Sequence, residues 1–220
     1  MASEARRRLR GLYAITPESA DTEALAERVA ACLDGGAALV QYRAKNAHAA
    51  LAAKQARLLA ALCRARSVPL IVNDSVELAL AAGADGVHLG RDDVSVREAR
   101  ARLPGLLIGV SCYADEERLR CAAADGADYV AVGSVFASST KPGATRAPLE
   151  LLARARALSG LPVAAIGGIT PQNAPQAVAA GADMLAVISA LFDAPDIRAA
   201  TRAFSELFGD TNVRAQQEAV

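Results

Sequence analysis

Aromatic residues are scarce in this sequence: they make up 4% of its 220 residues, and tryptophan is absent. Proteins that bind single-stranded nucleic acid often stack bases on aromatic side chains, so the scarcity disfavours an RNA-stacking surface. It also disfavours an antibody-like sandwich, which is built around a buried tryptophan. Lys plus Arg and Asp plus Glu number 24 each, so no net charge favours nucleic acid or an acidic membrane as a partner.

Long apolar runs and cysteine motifs are missing as well. No apolar run approaches the length of a membrane span. Residues 1–15 contain Arg but no apolar signal-peptide segment before the first predicted strand, so we expect no secretory signal and a cytoplasmic protein. Cys32, Cys63, Cys112 and Cys121 show no CxxC spacing, and we expect reduced structural thiols.

One local pattern recurs four times, at residues 34–42, 81–89, 124–132 and 179–187. In each copy a helical stretch runs into Gly-Ala, which is followed in most copies by Asp and then by an apolar strand. Glycine commonly ends a helix because it can adopt positive φ. The repeat therefore predicts that helices and strands alternate along the whole chain.

This alternation predicts eight strands and eight helices. The strands are expected at residues 11–15, 38–42, 69–72, 86–89, 107–110, 128–132, 163–166 and 184–188. The helices are expected near residues 22–34, 48–66, 76–82, 95–102, 115–124, 149–158, 173–180 and 196–208. The strands are short and apolar on both faces, as parallel strands covered by helices are.

Eight strand–helix units predict an α/β fold, the TIM (β/α)8 barrel, as a single domain over residues 1–208. A doubly wound open sheet is the alternative, but no GxGxxG motif follows the first strand. Residues 209–220 are polar, and we expect a disordered tail there. In a TIM barrel the active site lies at the carboxyl ends of the strands, so the residues that follow each strand are the candidates.

Two carboxylates follow neighbouring strands in the stretch 69–93. Asp74 follows the third strand and Asp93 follows the fourth. Parallel strands end side by side, so both could bind one hard cation such as Mg²⁺. Each residue considered alone is more often a helix cap, Asp74 for the helix near Ser75 and Asp93 for the helix near Val94.

Basic and hydroxyl groups are expected at the same rim. Together with two carboxylates, cations of this kind are typical of a site for a metal-bound polyphosphate. The segment 133–146 is long for a strand–helix connection, which is typical of a binding loop. The candidates are Gln41, Arg43 and Lys45 after strand 2, Asn73 after strand 3, Ser111 after strand 5, and Ser138, Ser139, Thr140 and Lys141 in the long loop.

The ends of strands 7 and 8 predict a second anion site. Gly167 and Gly168 would allow backbone N–H groups to approach an anion closely, and a helix start after Ser189 would add its dipole. This is the usual place for a monophosphate in a TIM barrel. The residues therefore predict two phosphorylated ligands, one held as a pyrophosphate and one as a monophosphate.

No Ser-His-Asp set and no paired general acid and base is evident. We expect His48 on a helix surface and His88 as a structural strand residue. A site with metal and cations but without a nucleophile suits departure of pyrophosphate, with the protein supplying electrostatics and positioning.

The ordered set QYRAK (41–45), NDSVELALAAGADGVHLGRDD (73–93), GVS (109–111), FASSTKPG (136–143), AIGGI (165–169) and VIS (187–189) resembles the thiamine phosphate synthase family. The resemblance implies a Mg²⁺-dependent transferase that joins 4-amino-2-methyl-5-hydroxymethylpyrimidine pyrophosphate to a thiazole phosphate and releases pyrophosphate. It implies small-molecule substrates, no nucleic-acid or membrane partner, and allows a homo-oligomer.

The resemblance also assigns roles to individual residues. Asp74 and Asp93 would bind Mg²⁺. Arg43, Lys45, Ser111 and Lys141 would carry the catalysis. The pyrimidine pyrophosphate would be held by Gln41, Arg43, Lys45, Asn73, Ser111 and Lys141, and the thiazole phosphate by Ser138, Thr140, Gly168, Ile188 and Ser189.

This sequence departs from the family's pattern at Tyr42, Arg91, Tyr113 and Ala137-Ser138, where an aliphatic residue, Gln, His and Pro-Thr are commoner. A relative of the family tautomerises the thiazole with a His on the loop after strand 5, and Tyr113 near that place favours the synthase. A tautomerase-like enzyme stays an alternative, as does a barrel that binds a phosphorylated ligand without turnover.

Overall fold

The structure is a computed structural model that describes residues 9–137 and 145–209. Eight parallel strands pair in sequence order, and the last strand pairs with the first to close a barrel. The strands are β1 (Gly11–Ile15), β2 (Leu39–Tyr42), β3 (Leu70–Asn73), β4 (Gly86–Leu89), β5 (Leu107–Tyr113), β6 (Tyr129–Gly133), β7 (Val163–Ile166) and β8 (Met184–Val187).

Helices follow the strands and cover the outside of the barrel. They are α1 (Thr22–Asp34), α2 (Ala49–Arg64), α3 (Val76–Ala82), α4 (Val96–Arg102), α5 (Glu116–Asp125), α6 (Glu150–Ser159), α7 (Ala174–Ala179), α8 (Ser189–Phe192) and α9 (Ile197–Ser205), followed by a 3₁₀ turn at Glu206–Phe208. The predicted single-domain TIM barrel is confirmed. The one-turn helix α8 was not predicted, and residues 210–220 of the predicted tail lie outside the described residues.

Serines, and not the candidate metal ligands, cap the helices after β3 and β4. Ser75 accepts a hydrogen bond from Leu78 N at 3.1 Å, and Ser95 accepts one from Glu98 N at 3.2 Å. The capping roles considered for Asp74 and Asp93 are therefore wrong. Because a serine hydroxyl already satisfies the first turn of each helix, both carboxylates are left for other partners.

The recurring Gly-Ala-Asp sequence joins neighbouring strands at the amino-terminal end of the barrel. The aspartate after each glycine accepts a hydrogen bond from the backbone N–H of the preceding strand at 2.8 Å, as Asp85 does from Leu70. Asp128 and Asp183 do the same with Ile108 and Val163. The copy at 34–42 has Ala38 at this position, and only its backbone N–H bonds to Leu12 O.

Asp128 is the most buried of these aspartates. Its side chain is 3% exposed and pairs with Arg100 at 2.6 Å. The Arg100 guanidinium also donates to the carbonyl oxygens of Leu103, Leu106 and Gly126. The ion pair therefore ties the end of α4 and the start of β5 to the loop before β6.

The core has two layers, one on each face of the sheet. Inside the barrel, Tyr13, Ile15, Leu39, Ile71 and Tyr129 pack with small residues of β6 to β8. The larger layer lies between the sheet and the helices. Side chains alternate between these layers along each strand, which explains why the strands are apolar on both faces.

Within the described ranges, no helix is both long and apolar enough to cross a membrane. The cytoplasmic location stays a prediction.

We expect Asp128→Ala to lower the free energy of unfolding by about 3–5 kcal/mol, because it leaves the Arg100 charge without its buried partner. Denaturant unfolding measures this loss. Asp34→Ala is the matched control, since it breaks the Arg66 pair at the surface, and it should cost about 1 kcal/mol or less. Equal losses in the two variants would contradict a structural role for the buried pair.

Candidate active site

A cavity of about 690 Å³ opens at the carboxyl ends of the strands. The barrel brings most of the predicted site residues to its wall, although they come from β2, β3, β5, β7 and β8. These wall residues are Gln41, Arg43, Lys45, Asn73, Asp74, Ser111, Gly168, Ile188 and Ser189. Ser138, Thr140 and Lys141 lie outside the described residues.

The segment after β2 is held by residues that follow β1. The Arg43 N–H donates to the hydroxyl of the fully buried Thr16 at 2.9 Å. Lys45 N donates to a carboxylate oxygen of Glu18 at 2.7 Å. Backbone contacts thus fix the path of this segment, and Arg43 and Lys45 line the cavity. This structural role of Thr16, which holds the Arg43 backbone, was not predicted.

Asp74 and Asp93 lie together at the rim, as the parallel arrangement predicts. Asp74 has a left-handed backbone with φ of 66°, and its carboxylate pairs with Lys45 Nζ at 3.3 Å. Asp93 accepts a hydrogen bond from Gly90 N at 2.6 Å. Burial, followed by the hydrogen bond and charge of Asp93, raises the pKa of Asp74, and Lys45 opposes the rise. Such a crowded pair is a place where a cation would relieve repulsion.

Two carboxylates are only part of a metal coordination sphere. Among the described residues, no group of three or more His, Cys, Asp or Glu side chains is arranged to hold a metal ion. Mg²⁺ commonly takes one or two protein carboxylates and completes its shell with phosphate oxygens and water. The Asp74–Asp93 pair fits that mode of binding, in which the substrate supplies part of the shell.

Arg91 and Tyr113, two positions that depart from the family's pattern, contact each other. The Arg91 guanidinium carbon lies 4.9 Å from the centre of the Tyr113 ring. Tyr113 itself has φ of 56° and follows a register shift at the end of β5. Arg118 donates to Ser111 O at 3.1 Å and contacts Gly90 O at 3.4 Å, so it links the ends of β4 and β5. Tyr42 instead bonds Gln55 of α2 at 2.8 Å, outside the barrel.

The glycines after β7 allow close backbone packing. Gly168 has φ of 64°, and a Cβ there would lie 2.0 Å from Ala137 O. A Cβ on Gly167, at φ of 102°, would lie 2.0 Å from Ser134 Oγ. Both glycines are therefore required for the segment after β6 to pack here, in addition to any role in anion binding.

The helix that begins at Ser189, whose dipole was expected to favour an anion, is short. α8 begins at Ser189 and ends at Phe192, only one turn later. Its dipole is correspondingly small, so an anion at this corner would depend more on individual backbone N–H groups, such as those at Ser189 and after β7.

A chain of buried polar side chains crosses the floor of the cavity. Gln41 Nε2 donates to Tyr13 Oη at 2.7 Å, and the Tyr13 and Tyr129 hydroxyls are 2.7 Å apart. Tyr129 Oη is 3.0 Å from His88 Nδ1, and His88 Nε2 is 2.9 Å from Ser111 Oγ. Neither tyrosine was predicted as a site residue. Inward alternation along β1 and β6 is the signal that could have found them.

A family model described as thiamine monophosphate synthase matches residues 12–191. The match covers nearly all strands that build the cavity. The chain belongs to the thiamine monophosphate synthase family.

Individual relatives agree with the family match. The chain is 57% identical to a thiamine-phosphate synthase of Aromatoleum aromaticum over 202 residues, which cover 91% of this chain and 97% of the relative. It is 57% identical to the enzyme of the same name in Thiobacillus denitrificans, over 90% of this chain and 94% of the relative. Among solved structures, thiamine phosphate pyrophosphorylase from Pyrococcus furiosus superposes with a TM-score of 0.83 at 36% identity, covering 93% of this chain and 98% of that chain.

The predicted family, its TIM barrel and its transferase activity as a thiamine-phosphate synthase are confirmed. The roles of single residues, the metal and the order of bond changes stay predictions for this member of the thiamine monophosphate synthase family.

His88 should make the fold sensitive to acid. Burial lowers the pKa of its ring from 6.5 to about 4, with Asp93 opposing the shift. As pH falls, His88 of the unfolded chain therefore binds a proton near pH 6.5, whereas His88 of the folded chain binds it only near pH 4. Stability from this residue is full above the unfolded pKa and is lost as pH falls below it.

We expect the free energy of unfolding to fall by about 2 kcal/mol between pH 7 and pH 5 through His88. His88→Gln should remove that component in denaturant titrations at the two pH values. His48→Gln should retain it, because this variant loses an exposed imidazole and leaves His88 buried. An unchanged pH dependence in His88→Gln would contradict the assignment.

Proposed function

We propose that this chain makes thiamine phosphate in the barrel cavity from a pyrimidine pyrophosphate and a thiazole phosphate. The C–O bond between the pyrimidine methylene and pyrophosphate breaks, and a C–N bond forms between that methylene and the thiazole nitrogen. One observation carries the proposal: a single cavity is lined by Arg43, Lys45 and Asp74 on one side, where Asp93 contacts Asp74, and by a glycine-rich turn at a one-turn helix on the other. That arrangement suits two phosphorylated ligands whose reacting ends meet in the middle.

Arg43 and Lys45 would hold the pyrophosphate, because both side chains reach the cavity from a segment whose backbone is fixed. Lys45 already bridges to Asp74, which places its ammonium beside the carboxylate pair. Asn73, at the end of β3, is half-buried and would donate its amide to a phosphate or ring atom. As the leaving group gains charge, preorganised cations at this position would stabilise it.

Asp74 and Asp93 would hold Mg²⁺. When bound, the ion would neutralise charge on the pyrophosphate oxygens. The protein's own contribution is to hold two carboxylates in contact although burial, followed by their mutual interaction, raises the pKa of Asp74. Lys45 would limit that repulsion before the substrate binds.

The thiazole phosphate would lie at the ends of β7 and β8. Gly168, Ile188 and Ser189 line this part of the cavity and would offer backbone N–H groups to the phosphate. The resemblance adds Ser138 and Thr140 to this site and Lys141 to the pyrophosphate, although all three lie outside the described residues.

Cations beside a carboxylate pair that could hold a metal suit a dissociative path, because charge then develops on the departing pyrophosphate. The methylene carbon would lose pyrophosphate first and become a cation conjugated with the aminopyrimidine ring. The thiazole nitrogen would then donate its lone pair to that carbon. The described residues would act by holding the two ligands in line and by stabilising the departing charge, which is where electrostatic catalysis is largest.

A single assay of the purified chain with both substrates and Mg²⁺ tests the function. Formation of thiamine phosphate with one equivalent of pyrophosphate is expected. A tautomerase-like enzyme or a non-catalytic binding barrel would give no coupled product.

We expect Asp74→Asn and Asp93→Asn to lower kcat/KM by about 10²-fold or more at limiting Mg²⁺, with partial recovery at high Mg²⁺. Calorimetry should show weaker binding of Mg²⁺ in the presence of pyrophosphate. Asp92→Asn removes an exposed carboxylate from the same loop and should stay within about twofold of the parent in both measurements. The metal assignment fails if all three variants behave alike.

An electron-withdrawing substituent on the pyrimidine should slow the chemical step steeply, because it destabilises the methylene cation. Single-turnover kinetics with a fluorinated pyrimidine pyrophosphate would measure the effect, and a decrease of about 10²-fold or more is expected. Binding of the analogue, measured without the thiazole, is the control. A single-turnover rate that does not depend on the substituent would favour direct displacement.

A further inference from the structure

The buried side chains beneath the cavity form one unbroken hydrogen-bonded chain from β2 to β5. It runs Gln41–Tyr13–Tyr129–His88–Ser111, with no link longer than 3.0 Å. Tyr13, Tyr129, Gln41 and His88 are all buried. Gln41 and Ser111, the two ends, line the cavity, as do Tyr13 and His88. The three interior groups make the chain continuous but have no assigned role in the reaction.

The protons along this chain must be ordered. Gln41 donates from Nε2 to Tyr13, so the Tyr13 proton is left for Tyr129 and the Tyr129 proton for Nδ1 of His88. His88, which burial keeps neutral, then carries its proton on Nε2 and donates to Ser111. In this order every interior proton has an acceptor, which buried polar groups require.

The order determines what the two ends offer a ligand. Gln41 turns Nε2 toward Tyr13, so its carbonyl oxygen is an acceptor that the network does not use and that a ligand could bond. Ser111 accepts from His88, so its own hydroxyl proton is the donor. The opposite order, with the Gln41 amide turned over, would make Gln41 a donor and Ser111 an acceptor. The hydrogen-bonding roles that Gln41 and Ser111 offer a ligand, donor or acceptor, therefore switch only together.

We infer that the Tyr13–Tyr129–His88 chain is a positioning network that ties Gln41 as acceptor to Ser111 as donor and thereby selects a 4-aminopyrimidine ring. The inference rests on the proposed function, in which the pyrimidine lies between these ends. An exocyclic amine would donate to Gln41, and an unprotonated ring nitrogen would accept from Ser111. A 4-oxopyrimidine has a carbonyl oxygen in place of the amine. Two acceptors, this oxygen and the Gln41 carbonyl oxygen, would then face each other without a proton between them.

Close packing supports a fixed arrangement. A Cβ on Gly109 of β5 would lie 2.0 Å from Cζ of Tyr129, so only glycine leaves room for this phenol. The Tyr13 and Tyr129 rings meet edge to face at 5.9 Å between centres, and the Tyr129 and His88 rings lie 5.6 Å apart. Rotation of any one ring would break two hydrogen bonds among these buried side chains.

Tyr129→Phe and Tyr13→Phe each remove one hydroxyl from the middle of the network, and Tyr129→Phe does so at a residue that does not line the cavity. The measurement is kcat/KM for the 4-amino and the 4-oxo pyrimidine pyrophosphates, with the thiazole phosphate saturating. We expect the parent to prefer the amino ring by about 10²-fold or more, and each variant to lose about tenfold of that preference. KM for the thiazole phosphate should change by about twofold at most.

Tyr42→Phe is the matched control. It removes a buried tyrosine hydroxyl that bonds Gln55 on the outer face of β2, so its cost to stability should be similar. Its preference for the amino ring should equal that of the parent. If Tyr42→Phe loses the preference equally, or if both network variants keep it, the network is not a positioning device.

Calorimetry of the two pyrimidine pyrophosphates without thiazole separates this inference from the proposed function. If the parent forms product and the network variants keep its preference for the amino ring, the positioning role of the network is wrong and the proposed function stands. Preferential binding of the amino ring that the network variants lose, without product formation, would overturn the synthase assignment alone. If the parent binds neither ring, both fail.

Discussion

Closure of the sheet by hydrogen bonds between β8 and β1 is the constraint on which the rest of the structure depends. Four consecutive residues of β1, from Gly11 to Ala14, pair with Met184 to Val187. With this pairing every strand has two neighbours, and all eight carboxyl ends surround one opening. Side chains separated by more than a hundred positions, such as Gln41 and Ser189, consequently line the same cavity.

The two ends of the barrel use charge in different ways. At the amino-terminal end, Asp85, Asp128 and Asp183 bond backbone N–H groups of the preceding strands, so their charges are satisfied within the protein. At the carboxyl end, burial and the neighbouring Asp93 raise the pKa of Asp74. Aspartate thus stabilises one end, whereas at the other it leaves charge for a ligand to compensate.

The inside of the barrel is more polar than its composition indicates. Two of the four tyrosines meet there, and their hydroxyls connect β2 to β5 through β1, β6 and β4. A fully apolar interior would need no such chain, and a partly bonded one would be costly. The small residues of β6 to β8 and Gly109 make room for the rings, so steric fit and hydrogen bonding are satisfied by the same set of residues.

The sequence by itself determined the alternation, the strand count and hence the barrel, because helix-ending glycines and apolar strand runs are local signals. It also determined which residues follow each strand, and the motifs were sufficient to indicate the family. Only the tertiary structure decided that Ser75 and Ser95 cap their helices, and that Asp74 meets Asp93 and Lys45. Only the structure joined Tyr13, Tyr129 and His88, because hydrogen bonds between side chains on different strands depend on register and ring orientation. These arise when the barrel closes and leave no pattern in neighbouring residues of the chain.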